Sequence, residues 1–228
     1  MKNIFYLILL SILIMSCGSN NEPPTTTVSE TEPELVTTKK VLTQKEIDSF
    51  YDEITLGTEF GEHSSQRYWY KKDVYIYLCD TQDSLYVKEL TKIVEELNSL
   101  IETVNISVTP YKNKANLFLW ISENHNTFIE GVGITSNKTI SHLKVAAGMV
   151  LGGLKHSSNE IKYSFVFVHK TNDLNFDRCT LREEVTQALG FFRDTYSFSN
   201  SIFSQIKTEQ VLEYTELDKA IIKKHYSN

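Results

Sequence analysis

The chain has 228 residues and a formal net charge of −6, from 23 Lys and Arg against 29 Asp and Glu. A mildly acidic chain without a basic stripe is a poor candidate for binding nucleic acid or an anionic lipid surface, so we expect no nucleic-acid partner. Its length and its 41% share of hydrophobic residues suffice for one domain of ordinary size.

The N-terminus has the pattern of a bacterial secretory signal. Lys2 precedes an apolar run that ends near Met15 and is too short to span a bilayer. The run closes with Ile14-Met15-Ser16-Cys17, which resembles the lipobox that bacterial lipoprotein peptidase cleaves. We predict a lipoprotein signal peptide at residues 1–17 and an acylated Cys17, which anchors the protein to a membrane of the cell envelope, facing the periplasm or the cell exterior. A signal peptide cut elsewhere beside an incidental cysteine is the alternative.

The next segment, residues 18–44, is mostly Asn, Glu, Pro, Thr and Ser, with few large apolar residues. Such a composition cannot bury enough apolar surface to offset the entropy of ordering, so it predicts a disordered tether. The single domain then occupies residues 45–228. Outside the cytoplasm, Cys79 and Cys179 can form a disulfide or remain two buried thiols, and the sequence leaves both open.

The first half of the domain alternates between strand and helix patterns. Tyr68–Leu78 is rich in aromatic and β-branched residues and predicts one strand, and its Tyr68-Trp69-Tyr70 segment either packs in the core or forms a binding surface for peptide or glycan. A helix is predicted from Leu85 to Ile101, where apolar residues recur every three and four positions. Short strands are expected at Ile106–Val108 and Asn116–Ile121, and a turn or close backbone approach at Gly131–Gly133.

The second half ends the sheet and adds two helices. Lys144–Leu151 predicts an edge strand, and Ile161–Val168 predicts a strand in the middle of the sheet. A helix then carries Glu183 to Gln187, and Thr215–Asp218 resembles a capping box in front of a last helix. The expected fold class is α+β, with a mixed twisted sheet of four to five strands, a long N-terminal helix, a helix of the active-site type and a C-terminal helix.

The stretch from Leu181 to Arg193 is laid out like the metzincin zinc motif, H-E-x-x-H-x-x-G-x-x-H. Glu183 and Gln187 stand at the first two histidine positions and Glu184 at the general base. Gly190 stands at the motif's glycine, and Arg193 at the third histidine. The order of predicted elements also resembles a metzincin catalytic domain, which implies that fold.

Residues beyond the motif extend the resemblance. Asp194 follows the third ligand position, and Asn200-Ser-Ile-Phe203 resembles the Met-turn with Phe203 in place of methionine. The stretch Arg-Glu-Glu-x-x-Gln-x-Leu-Gly also resembles that of an uncharacterised bacterial family, domain-of-unknown-function family 2927, which is itself distantly metzincin-like. That resemblance implies the fold but supplies no reaction.

The altered ligand positions are unsuited to zinc. Zinc prefers imidazole and thiolate, the amide of Gln187 is a weak ligand, and the guanidinium of Arg193 is permanently charged with no acceptor. We therefore predict a site without tightly bound zinc, in which Arg193 forms an ion pair with Glu183 or Glu184. Without that resemblance, the helix is simply amphipathic, with Glu183 and Gln187 on one face and Val185, Ala188, Leu189 and Phe192 on the other.

Three functions remain open. The first is a binding role without catalysis, in which Glu183, Gln187, Arg193 and Asp194 form the site and an extended peptide or protein lies along the edge strand. The second is an atypical metal-dependent peptidase with Glu184 as general base and Glu183, Gln187 and His169 as weak metal ligands. The third is a structural envelope component without a pocket. Three further histidines, His125, His142 and His156, are expected in loops or at strand edges.

Overall fold

The computed structural model describes residues 42–56, 65–69, 72–80, 83–154, 159–206 and 209–227. The predicted signal peptide, Cys17 and nearly all of the predicted tether lie outside these residues, as do Tyr70 and His156. Across the described ranges, no helix combines the length and the apolar character needed to cross a membrane.

The described residues form six α-helices and six strands. The helices are α1 (Gln44–Thr55), α2 (Ser84–Leu100), α3 (His125–Val132), α4 (Asn137–Leu143), α5 (Leu174–Gln187) and α6 (Glu216–His225). The strands are β1 (Tyr68–Trp69), β2 (Asp73–Leu78), β3 (Asn105–Val108), β4 (Leu117–Ser122), β5 (Gly148–Leu154) and β6 (Glu160–His169). A single 3₁₀ turn at Lys112–Lys114 precedes β4 within these ranges. The predicted helix at Leu85–Ile101 and the strands at Ile106–Val108 and Asn116–Ile121 are confirmed to within two residues.

The sheet is mostly parallel. Strands β3, β2, β4 and β6 lie side by side in parallel, and β1 runs parallel to the start of β6. Strand β5 is antiparallel to β6 and pairs with no other strand of the described chain, so it is an edge strand as predicted. Strand β6 is paired on both sides, which confirms its predicted interior position. Six strands replace the expected four to five.

The single strand predicted at Tyr68–Leu78 is wrong. Two residues, Tyr68 and Trp69, pair with β6 at Glu160 and Ile161, whereas Asp73–Leu78 pairs with β3 and β4. Both pieces have strand composition, and composition does not reveal which neighbour a strand pairs with. The polar sequence Lys71-Lys72-Asp73 is the one local sign of a break.

The segment between β4 and β5 contains two helices that the sequence did not predict. Gly131 lies in α3, where a Cβ atom would come 2.8 Å from the Trp120 ring, and Gly133 ends the helix with a φ of 77°. The edge strand therefore begins at Gly148 and not at Lys144, because α4 and a turn occupy the residues before it. The expected close approach at Gly131–Gly133 is confirmed, but it belongs to a helix.

Two hydrophobic clusters cover the two faces of the sheet. The larger lies under α1, α2, α5 and α6 and includes Val166 and Val168 of β6. The smaller lies under α3 and α4 and includes Phe167. Because successive strand residues point to opposite faces, this alternation also fixes the direction of the other side chains of β6.

Helix α6 closes the large cluster from behind. Thr215 and Asp218 form the predicted capping box, with both reciprocal hydrogen bonds present. Burial of Asp218 raises the pKa of its carboxyl, while hydrogen bonds from Ser201 and Thr215 act in the opposite direction. At the other end of the helix, His225 is buried against Tyr51 and Arg67.

His225 is expected to make folding stability depend on pH. Its Nε2 lies 2.8 Å from the Arg67 carbonyl and therefore carries the proton, so its Nδ1 accepts from the Tyr51 hydroxyl at 3.0 Å. Burial lowers the pKa of His225 from 6.5 to about 4. The folded state thus binds fewer protons, so its stabilisation is complete above pH 6.5 and is lost as pH falls towards 4, by up to about 1.4 kcal/mol per pH unit.

Urea unfolding of the full chain between about pH 7.5 and about pH 5 measures this slope. The variant His225→Gln removes the titrating group and should flatten that part of the profile, even if it lowers stability throughout. Equal slopes for both proteins would show that the pKa of His225 is the same in the folded and the unfolded state.

Candidate binding groove

Helix α5 is buried on nearly all sides over its second half. Val185, Ala188, Leu189 and Phe192 pack in the large cluster as predicted. The opposite face is not solvated, since Glu183, Glu184 and Gln187 are 9%, 6% and 3% exposed. The expectation of a simple amphipathic helix is therefore wrong, because the polar side of α5 is covered by β5 and by the segment after residue 190.

A groove of about 840 Å³ runs along this polar side. One wall is the start of the edge strand and the residues before it, from Val145 to Gly148, and the floor is α5. Parts of the segment from Arg193 to Gln210 form the opposite wall. The structure thereby brings Glu183, Glu184, Arg193 and Asp194 of the predicted site to one groove.

Gly148 permits a close approach of the edge strand to α5. A Cβ atom at this position would lie 2.3 Å from Oε1 of Glu184. The second approach is at Gly152, where a Cβ atom would lie 3.2 Å from the Phe192 ring. The carboxylate of Glu184 consequently lies directly against the backbone at the start of β5.

Gln187 is engaged in a hydrogen bond with Asp194. Its Nε2 donates to Oδ1 of Asp194 at 2.5 Å, and Nε2 of Gln205 donates to Oδ2 of the same carboxylate. Asp194 is 8% exposed and holds the amide of the buried Gln187 and the amide of the exposed Gln205. Both carboxylate oxygens of Asp194 accept hydrogen bonds. They connect the groove wall formed after residue 190 to the end of α5.

The predicted ion pair of Arg193 is wrong. Arg193 is exposed at the rim of the groove, and within the described ranges no salt bridge joins it to Glu183 or Glu184. The arginine that forms buried ion pairs is Arg182, which is 0% exposed. Its guanidinium pairs with Glu89 at 3.3 Å and with Glu96, both on α2, and lies 4.6 Å from the centre of the Tyr214 ring.

The Arg182 ion pairs were not identified from the sequence, although a signal for them existed. Glu89 and Glu96 are seven residues apart on α2 and therefore lie on one face of that helix. Arg178, one turn before Arg182, also pairs with Glu89 at 2.8 Å. Two acids on one helix and two arginines on another predict a contact between helices only when the packing partner is known.

None of the histidines that the structure describes lines the groove. His169 is on the same face of β6 as Phe167 and stacks on His125 of α3, whereas α5 covers the opposite face. The suggestion that His169 joins Glu183 and Gln187 as a metal ligand is therefore wrong. His142 is exposed on α4. In the part of the chain that the structure describes, no group of three or more His, Cys, Asp or Glu is arranged to hold a metal ion.

Two side chains and a glycine turn close the C-terminal end of α5. The Trp69 indole donates to the Ala188 carbonyl at 3.0 Å, and the Tyr226 hydroxyl donates to the Leu189 carbonyl at 2.6 Å. Gly190 then turns the chain with a φ of 119°, as the sequence predicted, against the Arg67 carbonyl. Trp69 is thus a core residue, while Tyr68 remains 47% exposed.

The segment at Asn200–Phe203 forms a tight turn against α6. Ser201 donates to Oδ1 of Asp218 at 2.6 Å. Phe203 is 0% exposed and packs on Phe191 and Phe50, with ring centres 5.5 and 6.4 Å away. Phe203 is thus part of the large hydrophobic cluster.

No disulfide joins Cys79 and Cys179. Cys79 packs against the small cluster, where burial raises the pKa of its thiol to about 12. Cys179 is buried on α5 and lines the groove.

These features define the class of protein. It is a mostly parallel α/β domain with a groove between its antiparallel edge strand and a buried helix. The chain belongs to the family described as protein of unknown function (DUF2927), whose model matches residues 44–228. No curated protein matches the chain. The match covers the whole described structure from the start of α1.

Proposed function

We propose that the chain is a membrane-anchored lipoprotein of the cell envelope whose domain is a degenerate relative of the metzincins and binds an extended peptide without cleaving it. The observation that carries the proposal is the open edge of β5, whose first residue, Gly148, belongs to the wall of a large groove over α5. Support for the metzincin relationship comes from the helix–groove–edge strand arrangement, the turn at Gly190 and the α6 capping box behind the site.

The backbone of β5 offers hydrogen bonds on its open side. The His169 N–H donates to the Ala147 carbonyl at 2.7 Å, and the register then pairs Gly148 with Val168. Hydrogen-bonded and non-hydrogen-bonded pairs alternate along an antiparallel ladder, so the N–H and C=O groups of Gly148, Val150 and Gly152 face away from β6. An added strand uses such outward groups for main-chain affinity.

The donors around the groove do not suit zinc. Among the described lining residues there is no histidine, and the carboxylates of Glu183, Glu184 and Asp194 replace the imidazoles that zinc prefers. The Gln187 amide already donates to Asp194. These features favour binding over hydrolysis.

Replacing Val150 with proline tests the edge strand. The change removes one outward N–H and should lower recovery of peptides from a phage-displayed random library by about fivefold or more, since one hydrogen bond contributes about 1 kcal/mol. The variant Val150→Ala keeps the N–H and is the matched control. Selected peptides that bind Val150→Pro and the parent chain equally would exclude strand addition at β5.

An atypical metal-dependent peptidase is the second candidate. One observation favours it, because Glu184 lies against the start of the edge strand where a bound backbone would pass. Cleavage of library peptides that is abolished both by a chelator and by Glu184→Gln would establish this function. Zinc affinity in the sub-micromolar range by isothermal titration would point the same way.

The lipid anchor predicts a specific labelling pattern. Cells that express the chain should incorporate an alkyne fatty acid into it, and Cys17→Ala should abolish the label and move the protein out of the membrane fraction, because a double or triple acyl chain holds a protein firmly. Cys79→Ala should leave both results unchanged. Retention of label in Cys17→Ala would show that the anchor is elsewhere.

A further inference from the structure

Two histidines on the face of the sheet opposite α5 form a stacked pair. The rings of His125 and His169 have centres 4.7 Å apart with an angle of 18° between their planes, and Phe167 lies 5.1 Å from His125. Nε2 of His125 and Nδ1 of His169 are buried and have no hydrogen-bond partner in the structure described. The pair lies between α3 and β6, beside the small hydrophobic cluster.

This arrangement tolerates neutral rings and disfavours charged ones. A neutral imidazole can leave its buried nitrogen bare, but an imidazolium carries N–H on both nitrogens and would bury a donor without an acceptor, at a cost of about 1–3 kcal/mol. Neither histidine forms a salt bridge with a carboxylate in the described ranges. Protonation of both rings would also place two positive charges in contact.

The other ionisable groups around the pair do not relieve this cost. Lys144, from the segment after α4, acts on His125 with a charge of the same sign as imidazolium. Lys170 follows His169 in the chain, but its Nζ pairs with Asp83 at 3.5 Å and lies over the Tyr86 ring. Burial, followed by His169 and Lys144, lowers the pKa of His125.

The pair is coupled through the backbone to the groove wall at Val145–Gly148, which is the rim on this side. The N–H of His169 donates to the carbonyl of Ala147, which lines the groove. Val145 and Ala146, also rim residues, donate to the carbonyl of His142 at the end of α4. A displacement of α3 and α4 from the sheet therefore moves the rim.

We propose that the stacked pair of His125 and His169 is a pH-sensitive latch, which holds α3, α4 and the rim of the groove against the sheet at neutral pH and releases them in acid. Because a proton on His125 is disfavoured in the closed form, closure is fully favoured above the ordinary histidine range and weakens as pH falls through it. Acid release of a bound peptide follows only if the proposed binding function holds, because that step depends on it.

Hydrogen exchange of the full chain tests the latch without any ligand. After correction for intrinsic rates, amides of residues 125–147 should exchange up to about tenfold faster at about pH 5.5 than at about pH 7.5, because one proton bound on opening shifts the equilibrium by up to tenfold per pH unit. The double variant His125→Gln/His169→Gln should lose this pH dependence. His142→Gln, an exposed histidine on α4, should keep it.

Comparing exchange rates between regions of the domain separates the latch from acid effects on the whole domain. Titration of His225 would speed exchange in α6 and α1, whereas the latch acts on α3, α4 and the rim. Faster exchange across all helices alike, or unchanged pH dependence in the double variant, would overturn the proposal. If residues 125–147 respond as expected but peptide binding is absent, the latch stands and the binding function fails.

Discussion

Replacing Arg182 with alanine is expected to lower the free energy of unfolding by about 3 kcal/mol, because removing one partner of a buried ion pair leaves the other charge uncompensated. Arg182 is 0% exposed and its partner Glu89 is 6% exposed. Arg178 remains beside Glu89 at 2.8 Å, which holds the expected loss near the lower end of the usual range for buried pairs. Urea unfolding of the full chain measures the change.

Two further variants define the cause of that loss. Arg193→Ala removes an exposed arginine and should change stability by less than about 0.5 kcal/mol. Arg182→Met combined with Glu89→Met removes both charges and should recover most of the loss, since apolar replacement of a buried pair is often neutral. If the double variant is no more stable than Arg182→Ala, an uncompensated charge on Glu89 is not the cause of the loss.

Gly190→Ala is expected to destabilise the domain by more than about 3 kcal/mol, or to prevent folding. The new Cβ atom would lie 2.1 Å from the Arg67 carbonyl oxygen and 2.7 Å from Nε2 of His225. The backbone also has a φ of 119°, which side chains with a Cβ rarely adopt. Neither partner can move cheaply, because the first is backbone and the second is buried.

Gly133→Ala is the matched control for that substitution. Gly133 also has a positive φ, of 77°, but no atom lies within 4 Å of a Cβ placed there. Only the conformational cost remains, about 1–2 kcal/mol. Thermal and urea unfolding should therefore rank the parent chain above Gly133→Ala and Gly133→Ala well above Gly190→Ala. Equal losses for the two variants would show that the contact with Arg67 is unimportant.

The elements that the sequence predicted correctly are those with a long and regular pattern. Helix α2 repeats its apolar residues over seventeen positions, and β6 is a ten-residue strand. Helices α3 and α4 were missed because they span only eight and seven residues and contain polar residues and a glycine. The break between β1 and β2 was missed because pairing partners are decided by the tertiary fold.

The residues of the candidate site were also predicted where a local pattern exists and missed where the tertiary fold decides. The spacing within α5 placed Glu183 and Gln187 on one face, and the resemblance to the zinc motif singled out Glu184. The structure places Glu183 and Glu184 in the groove. Which arginine forms an ion pair depends on where α2 packs against α5, which no local pattern records. The face on which His169 lies required the register of β6, and a one-residue change of register would have reversed it.

The closure of α5 by Trp69 and Tyr226 makes the end of this helix depend on distant parts of the chain. Trp69 lies 119 residues before Ala188, and Tyr226 lies 37 residues after Leu189. The carbonyls of Ala188 and Leu189 therefore acquire these donors only when both segments have packed against the helix. A peptide with the sequence of α5 alone would lack both partners, so the floor of the groove is a product of long-range assembly and not of local helix formation.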